Sequence, residues 1–304
     1  MTTTKALVDE GVERLRTLRF ETPRLDTELL LAHAIGVERT TVVANGQAPV
    51  GPAAEAAFRA ALDRRAAGEP VAYIRGIKEF HGIALTVDRR ALIPRPETEH
   101  VVDLVLAEVM ALIPARAGAG VAEPLRVIDV GTGSGAIAIA LAVALRARRV
   151  PLDEVRIDAV DISAEALELA RENAVGHGVG DRVSFAEADL LPAAPAGGAG
   201  TWDVVAANLP YVRSDAMATL PTPTTYEPAL ALDGGPDGLL VIGRLLDVLP
   251  SALGSDRVAF IEIGADQGEA IVALASARLP GWSCVVHTDL AGLPRTAVLR
   301  RGLS

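Results

Sequence analysis

From Leu125 onward, short apolar runs alternate with longer stretches of helical period. LRVIDV (125–130), VRIDAVDI (155–162), RVSFAEA (182–188), WDVVAAN (202–208), RVAFIEIG (257–264), SCVVHTD (283–289) and RTAVLRR (295–301) read as seven strands. Several are apolar almost throughout rather than alternating, the signature of strands covered on both faces. Between them lie SGAIAIALAVALRAR (134–148), SAEALELARENAVGHG (163–178), LLVIGRLLDVLPSAL (239–253) and DQGEAIVALASARL (266–279), each long enough for three or more helical turns. Strands alternating with helices predict an α/β domain: an open, doubly wound, mostly parallel seven-stranded sheet with helices on both faces. Ligand sites in such sheets lie at the carboxyl ends of the strands.

The first 70 residues carry a different rhythm. TPRLDTELLLAHAIG places Thr22 as N-cap, Pro23 at the first helical position and Gly36 as the stop. Leu29, Leu30 and His33 then share one face, with His33 at the edge of a core. GPAAEAAFRAALDRRAAGEP repeats the plan and stops at Gly68. A small helical domain over residues 1–70 is expected, followed by a β-hairpin linker over 71–92, where AYIRGIKEFHGIALTVD changes to period two with Gly82 near the turn. The remaining domain spans 93–304. It opens with LIPRPETEHVVDLVLAEVM, a Pro-rigid entry into a helix from near Glu97, with Arg95 held between two prolines. PARAGAGVAEP and LPAAPAGGAG read as exposed Ala/Gly/Pro loops.

Charge narrows the function classes. The net charge is -10, yet up to Ile83 the 11 acidic and 11 basic side chains balance, so the acidic excess lies in the α/β part. Long nucleic acid is disfavoured as a stable partner, because phosphate binding rests on clustered Lys and Arg. The single cysteine, Cys284, has no intramolecular partner, which fits a reducing compartment. The amino-terminal residues lack the apolar core of a signal peptide, and the longest apolar run, Gly135 to Leu145, is too short to span a bilayer. Five scattered histidines offer no metal-ligand spacing. A cytoplasmic, metal-free protein without membrane attachment is expected, and nothing demands more than a monomer.

Candidate chemistry begins at VIDVGTGSGA. Gly131, Gly133 and Gly135, with Thr132 and Ser134 between them, join a strand to a helix whose first N–H groups and partial positive charge face the loop. Gly131, Gly133 and Ala136 match the dinucleotide fingerprint G-x-G-x-x-A. That fold, however, wants a ribose-binding acid about 20 residues on, near Pro151, where there is none. The acid instead closes the second strand: Asp161, followed by Ile162, is placed to accept both hydroxyls of a ribose. Asp129 precedes the loop inside its strand, and Asp189 with Leu190 follows the third strand where an adenine edge would reach.

The fourth strand ends on Asn208-Leu209-Pro210-Tyr211. A primary amide or an exocyclic amine offers two N–H donors and a delocalised lone pair. Two fixed acceptors can grip both hydrogens and aim the nitrogen. These segments resemble the class I S-adenosylmethionine-dependent methyltransferases: VIDVGTGSGA their cofactor loop, AVDIS their ribose-binding strand end, EADLL their adenine loop, and Asn208 to Tyr211 their Asn-Pro-Pro-Tyr motif. The flanks EPVAYIRGIKEFHGIALTVDRRALIPRPETE, YEPALALDGGPDGL and IEIGADQGEAI are similar to the release-factor glutamine methyltransferase family, and this likeness covers nearly the whole chain.

The resemblance implies methyl transfer from S-adenosylmethionine to the side-chain amide of the glutamine in the Gly-Gly-Gln loop of peptide-chain release factors. It implies Asp129, Gly131 to Gly135, Asp161, Ile162, Asp189, Leu190 and Asn208 as cofactor-binding residues. Asn208, Leu209, Pro210 and Tyr211 are implied as the catalytic and substrate-binding segment. The acceptors would be the Asn208 side-chain oxygen and the carbonyl of residue 209, with the Tyr211 ring against the amide plane. Arg95 and Glu227 are further substrate-side candidates, and Glu262 reads as either a strand-end polar group near the pocket or a partner for the sheet edge. The sequence departs from the family at Leu209, where the motif has proline, and at His81, where a larger aromatic is expected. The competing reading is an adenine amino-group methyltransferase acting on DNA or RNA, which uses the same four-residue logic; it predicts a basic face that the charge balance does not supply.

Overall fold

The computed structural model describes residues 2–121, 123–191, 202–289 and 291–301. The chain divides into two compact units: Met1–Ile77 with Pro221–Tyr226, and Lys78–Leu220 with Glu227–Ser304.

The smaller unit is helical: α1 (Thr4–Thr17), α2 (Pro23–Ile35), α3 (Arg39–Ala44), α4 (Pro52–Ala66) and α5 (Val71–Arg75). Its core closes on Leu7, Leu15, Leu30, Leu31, Phe58 and Leu62, all fully buried. Helix α2 stops at Gly36 in the left-handed conformation, as its sequence predicts. His33 does not edge the core; it is exposed, because α2 turns Thr27, Leu30 and Leu31 inward. Asp26 and Arg65 form a buried ion pair at 2.8 Å, with the guanidinium 4.1 Å from the Phe20 ring centre. Residues 71–75 are helical rather than the first part of a hairpin. Pro70 caps α5 and Gly76 ends it in the left-handed region, so period two begins only at Ile77.

The hairpin itself is β1 (Ile77–Phe80) and β2 (Ile83–Thr86). His81 (φ 47°) and Gly82 (φ 75°) make its two-residue turn. Two positive φ values are what a type I′ hairpin requires. The His81 N–H donates to Glu99 at 3.0 Å, and its ring meets Asp103 at 2.9 Å. Both partners lie on α6 (Thr98–Gly118). Here α6 corrects a sequence expectation: it runs on through Pro114 to Gly118, so the start of PARAGAGVAEP is helix rather than loop. Of LPAAPAGGAG only Leu191 is described; the rest lies outside the described residues.

The larger unit is built on β3 (Leu125–Val130), β4 (Val155–Asp161), β5 (Val183–Glu187), β6 (Trp202–Ala207), β7 (Leu253–Glu262), β8 (Trp282–Thr288) and β9 (Pro294–Arg301). Their order is β5-β4-β3-β6-β7-β9-β8, with β9 antiparallel to both neighbours. This is the doubly wound, mostly parallel seven-stranded sheet that the strand pattern predicts. Helices α7 (Ala136–Ala147), α8 (Ala164–Gly176), α9 (Leu240–Ala252) and α10 (Gly268–Arg278) complete the layers. One core, including Val105, Val127, Ile139 and Leu141, packs α6 and α7 on one face. The other, including Ile128, Val205, Ile242, Leu246 and Ile271, packs α9 and α10 on the opposite face. Helix α7 is buried along nearly its whole length, which explains an apolar run without polar relief.

Winding reverses between β3 and β6. The chain steps outward from β3 to β4 to β5, then returns to pair β6 on the other side of β3. Val130 lies beside Ala207 in the parallel register, so two loops leave the sheet side by side at its topological switch point.

Candidate active site

Those two loops are Gly131–Gly135 after β3 and Asn208–Tyr211 after β6. Backbone geometry shapes the first. Gly131, Gly133 and Gly135 adopt φ of 72°, 55° and 84°, where a side chain is strained. The Gly131 and Thr132 N–H groups both donate to the Val160 carbonyl at 2.9 Å, folding the loop across the end of β4. The Gly133 N–H donates to Asp161 Oδ2 at 2.8 Å, and the Ser163 N–H to Oδ1 at 2.9 Å. Ser163 itself caps α8 through a bond from the Ala166 N–H, so Asp161 is not needed as the cap. Each Asp161 oxygen thus holds one fixed backbone donor and keeps further lone-pair capacity toward the open side.

Asp129 sits under the loop rather than in it. It is 1% exposed; Oδ2 accepts from the Thr132 hydroxyl at 2.6 Å and from the Ala138 N–H at 3.2 Å. Burial pushes its carboxyl up to about 7, against those hydrogen bonds. Its contacts tie the loop to the first turn of α7, and it does not border the cavity described below. Asn173 supports the loop from α8: its amide donates to the Ser134 and Thr86 carbonyls at 3.0 Å and accepts from the Thr86 N–H at 2.8 Å.

A cavity of about 400 Å³ opens over the switch point. Its wall includes Gly131 to Ser134, Asp161, Ile162, Asp189, Leu190, and Asn208 to Pro210. Most of the sequence candidates for cofactor binding therefore surround one space. Its volume falls in the usual range for small-molecule sites, ~300–1,000 Å³. Asp189 pairs with Arg244 at 2.6 Å across the exposed rim. Leu190 has φ of 65°, uncommon for a residue with a branched side chain, and such strain clusters at functional positions.

The second loop is held from several sides. Asn208 Nδ2 donates to the Thr98 hydroxyl oxygen at 2.9 Å, which leaves Asn208 Oδ1 as its available acceptor. Leu209 is 4% exposed and packs into the α9 side of the sheet. Tyr211 turns its hydroxyl toward Glu262 Oε1 at 3.3 Å, at the end of β7, and its ring does not line the cavity. Burial raises the Tyr211 phenol well above its ordinary value. Burial likewise pushes Glu262 up to about 7, against hydrogen bonding by Thr98 and Tyr211. The segment 232–238 braces the same backbone: Val212 and Gly234 exchange bonds with Leu232 and Val212 at 2.9 and 2.8 Å. A Cβ on Gly234 would lie 2.7 Å from the Pro210 carbonyl oxygen and 2.8 Å from Tyr211 Cα, so only glycine fits.

Arg95 and Glu227 meet each other rather than the cavity. Arg95 Nη2 donates to Glu227 Oε1 at 2.6 Å, and the Ile93 N–H donates to Oε2 at 3.0 Å. The buried Glu227 carboxylate therefore joins the IPRP segment to the YEP segment, while the neighbouring Pro94 and Pro228 face the cavity. His81, fixed in its hairpin turn, does not line the cavity either.

The comparisons with known proteins fit this geometry. A family profile described as "PrmC N-terminal domain" matches residues 6–76, and one described as "Methyltransferase domain" matches residues 122–235. The release factor glutamine methyltransferase of Deinococcus radiodurans is 36% identical over 295 residues, covering 97% of each chain. That of Moorella thermoacetica is 40% identical over 293 residues, covering 96% of each. The chain belongs to the release factor glutamine methyltransferase family. Its sheet also superposes on the hMettl16 catalytic domain solved in complex with the MAT2A 3'UTR hairpin 6, with a TM-score of 0.51 over 74% of this chain and 77% of that one. At 15% identity that likeness concerns the fold alone. The family's donor is S-adenosylmethionine, and the residues here fit it: an acid at the end of β4, a glycine loop bare of side chains at Gly131 and Gly133, and a largely apolar wall.

Thr98, Asn173 and Gly234 act on this site and carry little signal in the sequence. Asn173 shows as one amide on the otherwise apolar inner face of its helix. Gly234 shows as part of a GGPDG cluster following the motif. Thr98 resembles any residue at the start of a helix.

Proposed function

We propose that this chain transfers a methyl group from S-adenosylmethionine to the side-chain amide nitrogen of the glutamine in the Gly-Gly-Gln loop of release factors. The observation that carries it is Asn208 at the switch point, turned by Thr98 so that its side-chain oxygen is the free acceptor, beside the glycine loop in the wall of the same cavity. When bound, S-adenosylmethionine supplies an electrophilic methyl carbon on a sulfonium.

The protein's own part is positional. Gly133 and Ser163 N–H groups hold Asp161 in the orientation that accepts two ribose hydroxyls. Asn208 Oδ1 and the Leu209 carbonyl accept the two amide hydrogens of the glutamine and aim its nitrogen. Because the second acceptor belongs to the main chain, leucine supplies it as proline would, and Pro210 still fixes φ near -65°. An amide nitrogen is a weak nucleophile, so fixed alignment is the main contribution, and the surplus proton leaves after transfer. Tyr211, tied inward to Glu262, supports the segment from behind.

Arg95 and Glu227 are assigned to shaping the substrate side of the cavity through Pro94 and Pro228. The helical unit, with a core of its own, is assigned to recognition of the protein substrate. Among the described residues no helix is long and apolar enough to cross a membrane. We assign the chain to the cytoplasm, where release factors act, as a monomer without stable nucleic-acid binding.

Mass spectrometry of a purified release factor incubated with the protein and S-adenosylmethionine tests the reading. One added methyl on the Gly-Gly-Gln glutamine, lost with Asn208→Ala, is expected. Cofactor binding without any methylated glutamine would overturn the substrate assignment.

A further inference from the structure

Helix α10 begins on a residue whose side chain does not serve the helix. Gln267 stands at its N-cap, where Ser, Thr, Asp or Asn is preferred, and makes no side-chain bond to the first turn. It is buried and bonded elsewhere. Its Oε1 accepts from the Gly264 N–H at 2.8 Å, just past the end of β7. Its Nε2 donates to the Tyr211 carbonyl at 3.1 Å and to the Gly238 carbonyl at 3.2 Å. One side chain thus joins three segments: the exit of β7, the end of the substrate segment, and the segment 232–238 that braces it.

The surroundings admit one orientation of this amide. A primary amide has an acceptor end and a donor end. One N–H and two carbonyls face it, so a flipped amide would set its oxygen against both carbonyls and its NH₂ against the Gly264 N–H. The space is as restrictive. A Cβ on Gly238 would collide with the Tyr211 carbonyl oxygen and lie 2.6 Å from Gln267 Nε2.

The direction of the Leu209 carbonyl is set by the backbone on either side of it. Upstream, Thr98 pins Asn208 at 2.9 Å and the Leu209 side chain is buried. Pro210 fixes its own φ. Downstream, the Tyr211 hydroxyl reaches Glu262 at 3.3 Å, whereas Gln267 holds the main chain itself. We infer that Gln267 is a positioning residue for the transfer: by holding the Tyr211 and Gly238 carbonyls together it fixes the far end of the Asn208–Tyr211 segment, and with it the direction of the Leu209 carbonyl. Gln267 does not line the cavity, so it acts through that backbone. Its effect depends on the acceptor role proposed above for the Leu209 carbonyl.

Gln267→Met keeps the length of the side chain and removes all three bonds. Gln267→Glu keeps the acceptor for Gly264 and turns a second oxygen on the two carbonyls. Both should lower kcat on a release factor at least tenfold, while KM for the release factor and affinity for S-adenosylmethionine stay within about threefold. A single peptide gives a readout independent of turnover. Tyrosine labelled with ¹³C at the carbonyl, combined with ¹⁵N valine, leaves one coupled pair, Tyr211–Val212, because Tyr73 and Tyr226 precede Ile74 and Glu227. The Tyr211 carbonyl carbon should lie downfield in the parent and move upfield in both variants. An unmoved Tyr211 carbon in Gln267→Met would overturn the inference, whatever happens to turnover. So would a folded variant that keeps the parent kcat, or one whose S-adenosylmethionine affinity falls as far as its kcat. Should neither variant fold, the parent alone decides. Its two glutamines are the exposed Gln47 and Gln267, and the Gln267 NH₂ protons should exchange with solvent far more slowly than those of Gln47. Equal exchange would overturn the inference. A parent enzyme that methylates no release factor would overturn the function proposed above, and the Tyr211 carbon would still decide whether Gln267 holds the segment.

Discussion

Gly131 and Leu209 close on each other so tightly that a methyl group on the glycine would lie 2.9 Å from Leu209 Cδ2. The cofactor loop and the substrate segment are therefore fitted to one another as well as to their ligands. Gly131→Ala should meet two penalties: a φ of 72° that alanine adopts at a cost of ~1–2 kcal/mol, and the clash with a buried leucine. S-adenosylmethionine affinity is expected to fall at least tenfold, measured by calorimetry, with methyl transfer falling in parallel. Full affinity in a folded alanine variant would show that the loop tolerates the shift.

Leu209→Pro tests the main-chain acceptor. The substitution keeps the carbonyl and removes a buried side chain, at a cost of ~1–3 kcal/mol in stability. Methyl transfer is expected to stay within about tenfold of the parent. A loss of several hundredfold, with cofactor binding intact, would assign the leucine side chain itself a role.

Arg95 and Glu227 separate a structural from a substrate-contact role. Removing Arg95 leaves a buried carboxylate with one backbone donor. Arg95→Ala should cost ~2–3 kcal/mol, below the full value for a buried pair because the guanidinium is partly exposed. Combining it with Glu227→Gln should recover part of that loss in a urea-denaturation cycle. Unchanged stability with a raised KM for the release factor would place Arg95 on the substrate instead.

Asp129 gives a pH dependence whose sign follows from burial. Its folded-state value of about 7 lies above the ordinary 3.8, so the folded protein holds the proton more strongly than the unfolded chain. The stability it contributes is present below the ordinary value and is lost as pH rises toward and through 7. Asp129→Asn, whose carbonyl can still accept from Thr132 and Ala138, should be at least as stable as the parent at pH 8. Its advantage should shrink toward pH 5. Thermal denaturation at the two pH values checks it; an advantage that grows on acidification would refute the assignment.

Gly234→Ala should separate binding from chemistry. Its added methyl would press the Gly238, Pro210 and Tyr211 backbone, its three nearest neighbours, none of them in the cofactor loop. Turnover is expected to drop about a hundredfold or more, with S-adenosylmethionine affinity nearly unchanged.

The strands, the switch point and the two loops were legible because buried parallel strands and glycine-rich turns write themselves into local sequence. Asn208 and Asp161 stood out because each ends a strand where a buried chain normally carries no polar group. Other features depend on tertiary partners. The continuation of α6 past Pro114 overrides a local breaker signal. The left-handed Leu190 runs against residue preference and leaves no local trace. His81 read only as a departure from the family; that its backbone makes a hairpin turn and its ring is engaged by Asp103 needed the structure. Thr98 lies 110 residues from the asparagine it orients, a distance over which no periodicity carries information.

The side-by-side exit of the two loops from Val130 and Ala207 carries a consequence for how the enzyme fails on heating. Donor and acceptor are spaced by neighbouring strands, ~4.8 Å apart through shared backbone hydrogen bonds, at the centre of the sheet rather than on a hinged cover. No partial loosening can separate them without breaking the central ladder. Catalytic competence and cooperative melting should therefore share one midpoint, and the protein should remain a working enzyme up to the temperature at which it ceases to be folded.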